Sequence, residues 1–393
     1  MPLFDQIPRQ ETRPRRQNEG AFAYQNTSAR RGIAAIRDML ESWFAHVPPA
    51  AQADIRGRFR EDDEVQHQSS FFELFWHELL YASGYEIELH PDLPDASTNP
   101  DFLARRGGEP QFYFEATLAM PPGDLAAARR IAQLHDTLDR LESPDFFLDF
   151  EYRGTPQANL RGAVLRDRLA RWLQQLDYNQ LSALYEKRDY DAVPRFHWPE
   201  EGLLLTFSPI PKGPKLRGQP GVRPVGIAAP LDLRRLRTHE DIREAIEGKA
   251  TKYGQLHVPL IIAVNVMEDL FDESDVWNAL LGEEQLIATR QEDGRFMERL
   301  WRAPNGAWRG QRGARNTLAS AVAVTHQLSP TALRTQNIEV ILNPWAANPL
   351  APEHLSLPRR IPKWPTAEVE RREGRNAADI LGIPELWPVP DPE

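Results

Sequence analysis

The sequence predicts an α/β protein, and three observations predict it. Apolar residues recur at helical spacing in several stretches, the clearest being Phe72, Phe75, Trp76, Leu79 and Leu80. Between such stretches lie short strand-like runs, two of which flank the turn Arg106-Gly107-Gly108-Glu109-Pro110, where glycine supplies the positive φ of a tight hairpin. Residues 258–266, VPLIIAVNV, form a continuous apolar run of strand length, the mark of a strand covered on both faces.

The elements follow in order. Residues 1–26 are polar and Arg-rich and read as a loosely held arm. A helix is expected from Ser28, with Ile33, Ile36, Met39, Leu40, Trp43 and Phe44 on one face, ended by Pro48-Pro49. The acidic run 61–64 reads as a solvated connector. The strongest helix spans 69–83 and stops at Gly84; Glu73 sits at the flank of its apolar stripe and His77 lies one turn later on the same side. The usual fate of such a Glu is a surface position, and of such a His a satisfied boundary. Residues 85–90 read as a strand, 91–100 as a loop, and the hairpin follows. A helix near 125–141, a strand at 146–152, a long helical stretch over 160–187 and a strand at 202–208 come next. A loop over 209–237 carries Lys212, Lys215, Arg217, Arg223, Arg234, Arg235 and Arg237 against Asp232 alone. Such a run is usually only solvated, although a flexible basic loop is also what tracks a phosphate backbone. A helix over 241–252 then bears Lys249 and Lys252 and leads into the apolar strand. Beyond it we expect a helix at 276–281, strands at 318–325 and 338–342, and a Pro-rich tail over 356–393. The domains expected are an arm with its helix (1–65), a core (66–270) with an α/β insertion at about 154–237, an α/β extension (271–355) and the tail.

Composition sets further bounds. A chain of 393 residues can bury a large core in two or three lobes, and 41% hydrophobic with 26% charged content is that of an ordinary soluble globular protein. The absence of Cys excludes disulfides, thiolate metal sites and a cysteine nucleophile. No segment approaches the ~20 apolar residues of a membrane span, and the start MPLFDQIPRQETRPRR lacks the apolar run of a signal peptide, so a cytoplasmic location is expected. The net charge of -10 argues against indiscriminate nucleic-acid binding but allows a local basic patch. No HExxH, GxxxxGK[ST], GxGxxG after a strand or GxSxG occurs, and the ten histidines lack metal-ligand spacing.

The hairpin holds the chemistry. In its second strand Phe112, Phe114, Ala116 and Leu118 point one way, and Gln111, Tyr113, Glu115 and Thr117 the other. A turn centred on Gly108 sets Asp101 opposite Glu115. Two carboxylates about 4 Å apart repel by about 4 kcal/mol at an effective dielectric near 20, so the pairing asks for a cation. A divalent ion with oxygen ligands would supply it. The plainer alternative is a register slipped by one, or two acids solvated on an open face.

The order helix with Glu73, strand, Pro100-Asp101 strand, Glu115 strand, lysine-bearing helix and buried strand resembles the PD-(D/E)xK nuclease superfamily. The segments FFELFWHELLYASGYEIELHP and NPDFLARRGGEPQFYFEAT carry the likeness, which covers about 66–153 and 238–266. It implies a restriction-endonuclease-like α-β-β-β-α-β core on a mixed sheet, with a helical N-terminal extension, a long insertion and a C-terminal extension. It further implies Asp101, Glu115 and Glu73 as ligands of Mg²⁺ or Mn²⁺. Where the family's motif has Lys, this chain has Thr117; related families move the lysine to the next helix, which would make Lys249 or Lys252 its substitute. The expected activity is metal-dependent phosphodiester hydrolysis of nucleic acid, DNA before RNA, with Arg105, Arg106, Lys212, Lys215, Arg217 and Arg223 as backbone-binding cations. A homodimer or a partner subunit is compatible with this reading. The alternative is a nuclease fold without catalysis that binds nucleic acid or a protein.

Overall fold

The structure is a computed structural model that describes all residues except 94–97, 121–124, 201, 220–221, 223, 225–228, 231–237, 269–270, 291–295, 365–367 and 392–393. The chain divides into two units. The first comprises Met1–Arg13, Gly20–Pro121 and Arg237–Glu393, and the second Pro14–Glu19 and Pro122–Leu236.

The first unit is built on one mixed eight-stranded sheet. Glu86–Leu89, Phe102–Arg106 and Glu109–Ala119 form an antiparallel meander. Leu260–Val266 pairs parallel to the last of these, and Ala319–His326 parallel to it in turn. Glu339–Leu342, Arg359–Pro362 and Val369–Arg372 complete the sheet. As its run of β-branched and apolar residues requires, every residue of Leu260–Val266 is buried.

Helices cover both faces. On one face the helix Glu64–Ala82 lays Phe72, Phe75, Trp76 and Leu80 over Phe112, Phe114, Ile261 and Ala263. On the other, Thr238–Ala250 and Glu273–Leu281 set Ile242, Ile246, Val276 and Leu280 over Leu260, Ile262, Val264 and Val322.

Several expectations need correction. The acidic run does connect two helices, with Glu61 and Asp62 exposed, but its end has a second role: Asp63 caps the long helix by accepting from the Val65 and Gln66 amides, and Glu64 is its first residue. The arm is not loose at its start, because Leu3 and Phe4 are buried and their amides donate to the Glu41 carboxylate at 2.9 and 2.7 Å. A helix at Pro49–Phe59 begins with proline at its first turn, so the two prolines end one helix and start another. The tail supplies two strands, Arg359–Pro362 and Val369–Arg372. The helical stretch 160–187 is two helices, Gly162–Leu173 and Tyr178–Lys187. Phe146–Gly154, expected in the core, instead pairs with Leu203–Pro211 in a separate four-stranded sheet of the second unit. There Phe150 stacks on Phe207 at 4.8 Å above the helix residues Leu165 and Leu169.

Candidate active site

The hairpin register decides which carboxylates meet. Gly107 and Gly108, at φ 58° and 82°, form a two-residue turn centred between them rather than on Gly108. Arg106 therefore pairs with Glu109, and Arg105 with Pro110. Continued unchanged, that register would bring Asp101 opposite Phe114. A bulge between Ala104 and Arg105 shifts the ladder by one, so that Ala104 pairs with Phe112 and Phe102 with Phe114. Asp101, one residue before the strand, then falls opposite Glu115.

Glu115 is 1% exposed, on the face covered by Thr238–Ala250. Lys249, one residue from the end of that helix, donates from Nζ to Glu115 Oε2. Asp101 Oδ2 accepts from the Ala116 amide at 2.7 Å, which ties the acid to the neighbouring strand. Its own carbonyl accepts from the His90 amide at 3.0 Å. Glu73, on the Glu64–Ala82 helix, is held by both terminal nitrogens of Arg58, each at 2.7 Å. Arg58 belongs to the helix Pro49–Phe59 and also pairs with Asp54 at 3.0 Å.

These groups feel one another's charge. Burial and then the Asp101 carboxylate push the Glu115 carboxyl up to about 8, while Lys249 and Lys252 pull against them. Burial also raises Glu73; the Arg58 hydrogen bonds oppose it and the Asp101 charge adds to it. Burial would depress Lys249, but the carboxylates of Asp101, Glu115 and Glu73 outweigh it and hold the ammonium above its ordinary value. Three acids and one lysine therefore act on one another's charge, with Glu115 alone fully buried, but the carboxylate oxygens of Glu73, Asp101 and Glu115 do not all lie within 4.8 Å of one another. A carboxylate that resists ionisation beside another carboxylate marks a shortage of positive charge, and an all-oxygen donor set suits a hard divalent cation.

The remaining expected residues are placed as follows. Thr117 is half-buried and shares Glu115's face by alternation. Lys252 lies past the helix end and is exposed, although its charge reaches Glu115. Arg105 pairs with Glu88, and Arg106 stacks over the Tyr85 ring at 4.3 Å. Both lie at the turn end of the hairpin, roughly 15 Å along the strand from Asp101. In the second unit Lys212 is buried and donates to the Ser143 carbonyl at 2.6 Å. Arg217 pairs with Asp145 and covers the Tyr178 ring at 3.8 Å, while Lys215 is exposed. Arg223, Arg234, Arg235 and Arg237 lie outside the described residues. His77 is neither at a boundary nor satisfied, since it is buried and its Nδ1 meets no hydrogen-bond partner among the described residues; burial, and then the charge of His46, lowers it to about 4.

Sequence reasoning did not find Arg58, because the helix that carries it follows a Pro-Pro pair and has no apolar periodicity to announce it. It also missed a grouping of His239, Glu240 and Glu283, whose donor atoms lie within 4.8 Å of one another. His239 Nε2 meets Glu283 Oε1 at 3.1 Å, bridging the start of Thr238–Ala250 to the segment after Glu273–Leu281. We read that group as a clamp between two helices.

Among the described residues no helix is long and apolar enough to cross a membrane. Comparison with family models, curated proteins and solved structures finds no match to this chain in any of the three.

Proposed function

We propose that the protein hydrolyses phosphodiester bonds of nucleic acid with the help of a divalent cation, in the manner of a DNA endonuclease, on a restriction-endonuclease-like core. The observation that carries this reading is the meeting of Lys249 with Glu115 beside Asp101. The family's strand motif lacks its lysine here, and a lysine from the next helix stands against the same carboxylate. The order of elements supports the same reading: helix, three antiparallel strands, helix, then a strand parallel to the third.

Asp101 and Glu115, with Glu73, would hold Mg²⁺ or Mn²⁺, which when bound polarises a phosphoryl oxygen and acidifies water. The protein's own groups do the rest. Lys249 donates a hydrogen bond to the attacking water and offsets the charge that grows on the pentavalent phosphorus centre. The Ala116 amide keeps Asp101 turned toward the strand that carries Glu115. Arg58 holds Glu73 in one orientation with a bidentate grip, so the helix carboxylate cannot wander.

One observation favours a second reading, a fold kept for recognition alone. Each of the three acids already has an internal partner, namely Arg58, the Ala116 amide and Lys249. A self-neutralised network of this kind can be purely structural.

The test is cleavage of single-stranded and duplex DNA by the purified protein in Mg²⁺, Mn²⁺ or chelator, beside Asp101→Asn, Glu115→Gln and Lys249→Met. Metal-dependent cutting lost in all three variants establishes hydrolysis. Binding without cutting in any metal, unchanged in the variants, leaves recognition alone.

A further inference from the structure

We propose that His239, Glu240 and Glu283 bind a divalent transition-metal ion, Zn²⁺ before others, which braces the start of the helix Thr238–Ala250 against the chain that follows Glu273–Leu281. Such an ion is separate from any held by Asp101 and Glu115, and its binding does not depend on that site.

One imidazole nitrogen and two carboxylate oxygens of these residues all lie within 4.8 Å of one another, a closer meeting than Glu73, Asp101 and Glu115 achieve. A Zn²⁺ ion about 2.0–2.1 Å from each ligand sets tetrahedral ligand atoms about 3.3 Å apart. His239 Nε2 and Glu283 Oε1, at 3.1 Å, already stand near that spacing. Glu240 offers its oxygen from the same helical turn as His239, on a side chain long enough to close what remains.

Both limbs of the group are tied to one residue, Asn305. The Glu283 amide donates to Asn305 Oδ1 at 3.0 Å, and Arg243, one turn along the helix from His239, donates to the Asn305 carbonyl at 2.8 Å. The Glu283 carbonyl in turn accepts from the Ala303 amide at 2.8 Å. Gly282 sits at φ 101°, where a Cβ would run into the Ala303 carbonyl oxygen, so glycine is what lets the chain deliver Glu283 to this point.

The plain alternative is an ion pair beside acids that complement the helix dipole. The dipole does not, however, call for a carboxylate from another segment to converge on the same imidazole. Asp241 also lies within reach of the charges of Glu240, Glu244 and Glu268, so negative charge gathers here beyond what His239 can offset. No ligand has to be otherwise unpartnered, since metal-bound carboxylates keep hydrogen bonds of their own.

The donor set selects the ion. Imidazole with two carboxylates suits Zn²⁺, whereas Mg²⁺ and Ca²⁺ favour oxygen alone. All three residues are half-buried, so water can take the fourth place. Lys249 lies about 15 Å further along the same helix. The ion would therefore steady the helix that carries the lysine without touching its pair with Glu115.

The experiment titrates Zn²⁺ and, separately, Mg²⁺ into the full chain stripped with chelator. One Zn²⁺ is expected that survives Asp101→Asn but not His239→Ala, and it should raise the melting temperature. His239→Ala and Glu240→Ala should each weaken Zn²⁺ binding by more than the about 10- to 100-fold that loss of an outer-shell partner costs. His197→Ala, in the second unit, should leave it unchanged. Because His239→Ala also breaks the contact with Glu283, Glu283→Gln is the second arm. Its amide oxygen still accepts from the ring but coordinates poorly, so the melting temperature in chelator should hold while the response to Zn²⁺ is lost. No bound Zn²⁺, binding that all three ligand variants retain, an ion lost in Asp101→Asn but kept in His239→Ala, or Mg²⁺ held as tightly as Zn²⁺ each overturns the site. DNA cleavage in Mg²⁺ is read separately, and its failure overturns hydrolysis while leaving the Zn²⁺ site standing.

Discussion

Phe114 and Glu115 are neighbours in one strand, yet they face opposite sides of the sheet and lead opposite lives. Phe114 is fully buried against Trp76 at 4.8 Å and Phe102 at 6.0 Å, on a face closed by an aromatic helix. Glu115 is just as buried, but on a face where Lys249 is its hydrogen-bonded counter-charge, aided by the charge of Lys252, while Asp101 repels it. One face lowers the free energy of the fold by removing apolar surface from water. The other keeps charges where burial disfavours them, the usual mark of a site kept for chemistry rather than stability. Equal burial thus has opposite consequences, depending on what meets the side chain.

That contrast can be broken from either side. The largest effect is expected at the charged face, where Lys249→Met should lower cleavage by about 10²- to 10³-fold, as loss of one group aimed at developing charge does. Leaving Glu115 buried without its partner should cost about 1–3 kcal/mol of stability as well; a loss large enough to unfold the protein would show the lysine to be structural. On the dry face Phe114→Ala should cost about 3–5 kcal/mol in denaturant unfolding, because the cavity cannot close between two packed layers. A cost under about 1 kcal/mol would mean that the face is loosely packed.

Acid should also find the dry face. Burial, aided by the charge of His46, lowers His77 to about 4 from an ordinary 6.5. The unfolded chain therefore takes up a proton at higher pH than the native one does. The stability tied to a neutral His77 is complete above pH 6.5 and is lost as pH falls toward 4, by at most about 3 kcal/mol. His77→Leu should flatten the unfolding free energy over that window, and an unchanged slope would place the acid sensitivity elsewhere. The smallest effect is expected at the pair that links the aromatic helix to its neighbour. Arg58→Ala leaves Glu73 buried without its partner and should cost about 1–3 kcal/mol. Arg58→Lys should recover only part of this, since an ammonium cannot grip both oxygens. Full recovery by lysine would show that charge alone, not the bidentate geometry, orients Glu73.

Much of the frame was legible from the residues. The helix beneath the sheet announced itself through Phe72, Phe75, Trp76, Leu79 and Leu80, and the central strand through its unbroken apolar run. The hairpin was legible as well, though not the manner of its register: the turn centre was misplaced by half a residue, and the unforeseen bulge made up the difference. Arg58 was invisible, because its partner lies fifteen residues away on another helix. The basic loop shows the opposite failure. Lys212 and Arg217 stand out in the sequence as charge, but the fold turns one inward and lays the other on Tyr178.

By itself, then, the sequence determined periodicity: the helices and strands with a strong apolar pattern, which of their faces are apolar, and that Asp101 and Glu115 share a hairpin. Those properties are local, set by spacings of two and 3.6 residues and by the φ that glycine allows. Only the tertiary structure decided which cation meets which acid. Lys249 reaches Glu115 across 134 positions of sequence, and Trp301 and Trp364 close on Arg309 from separate segments. Such meetings depend on how helices cross a sheet and where a second unit interrupts the chain, and no local pattern encodes them.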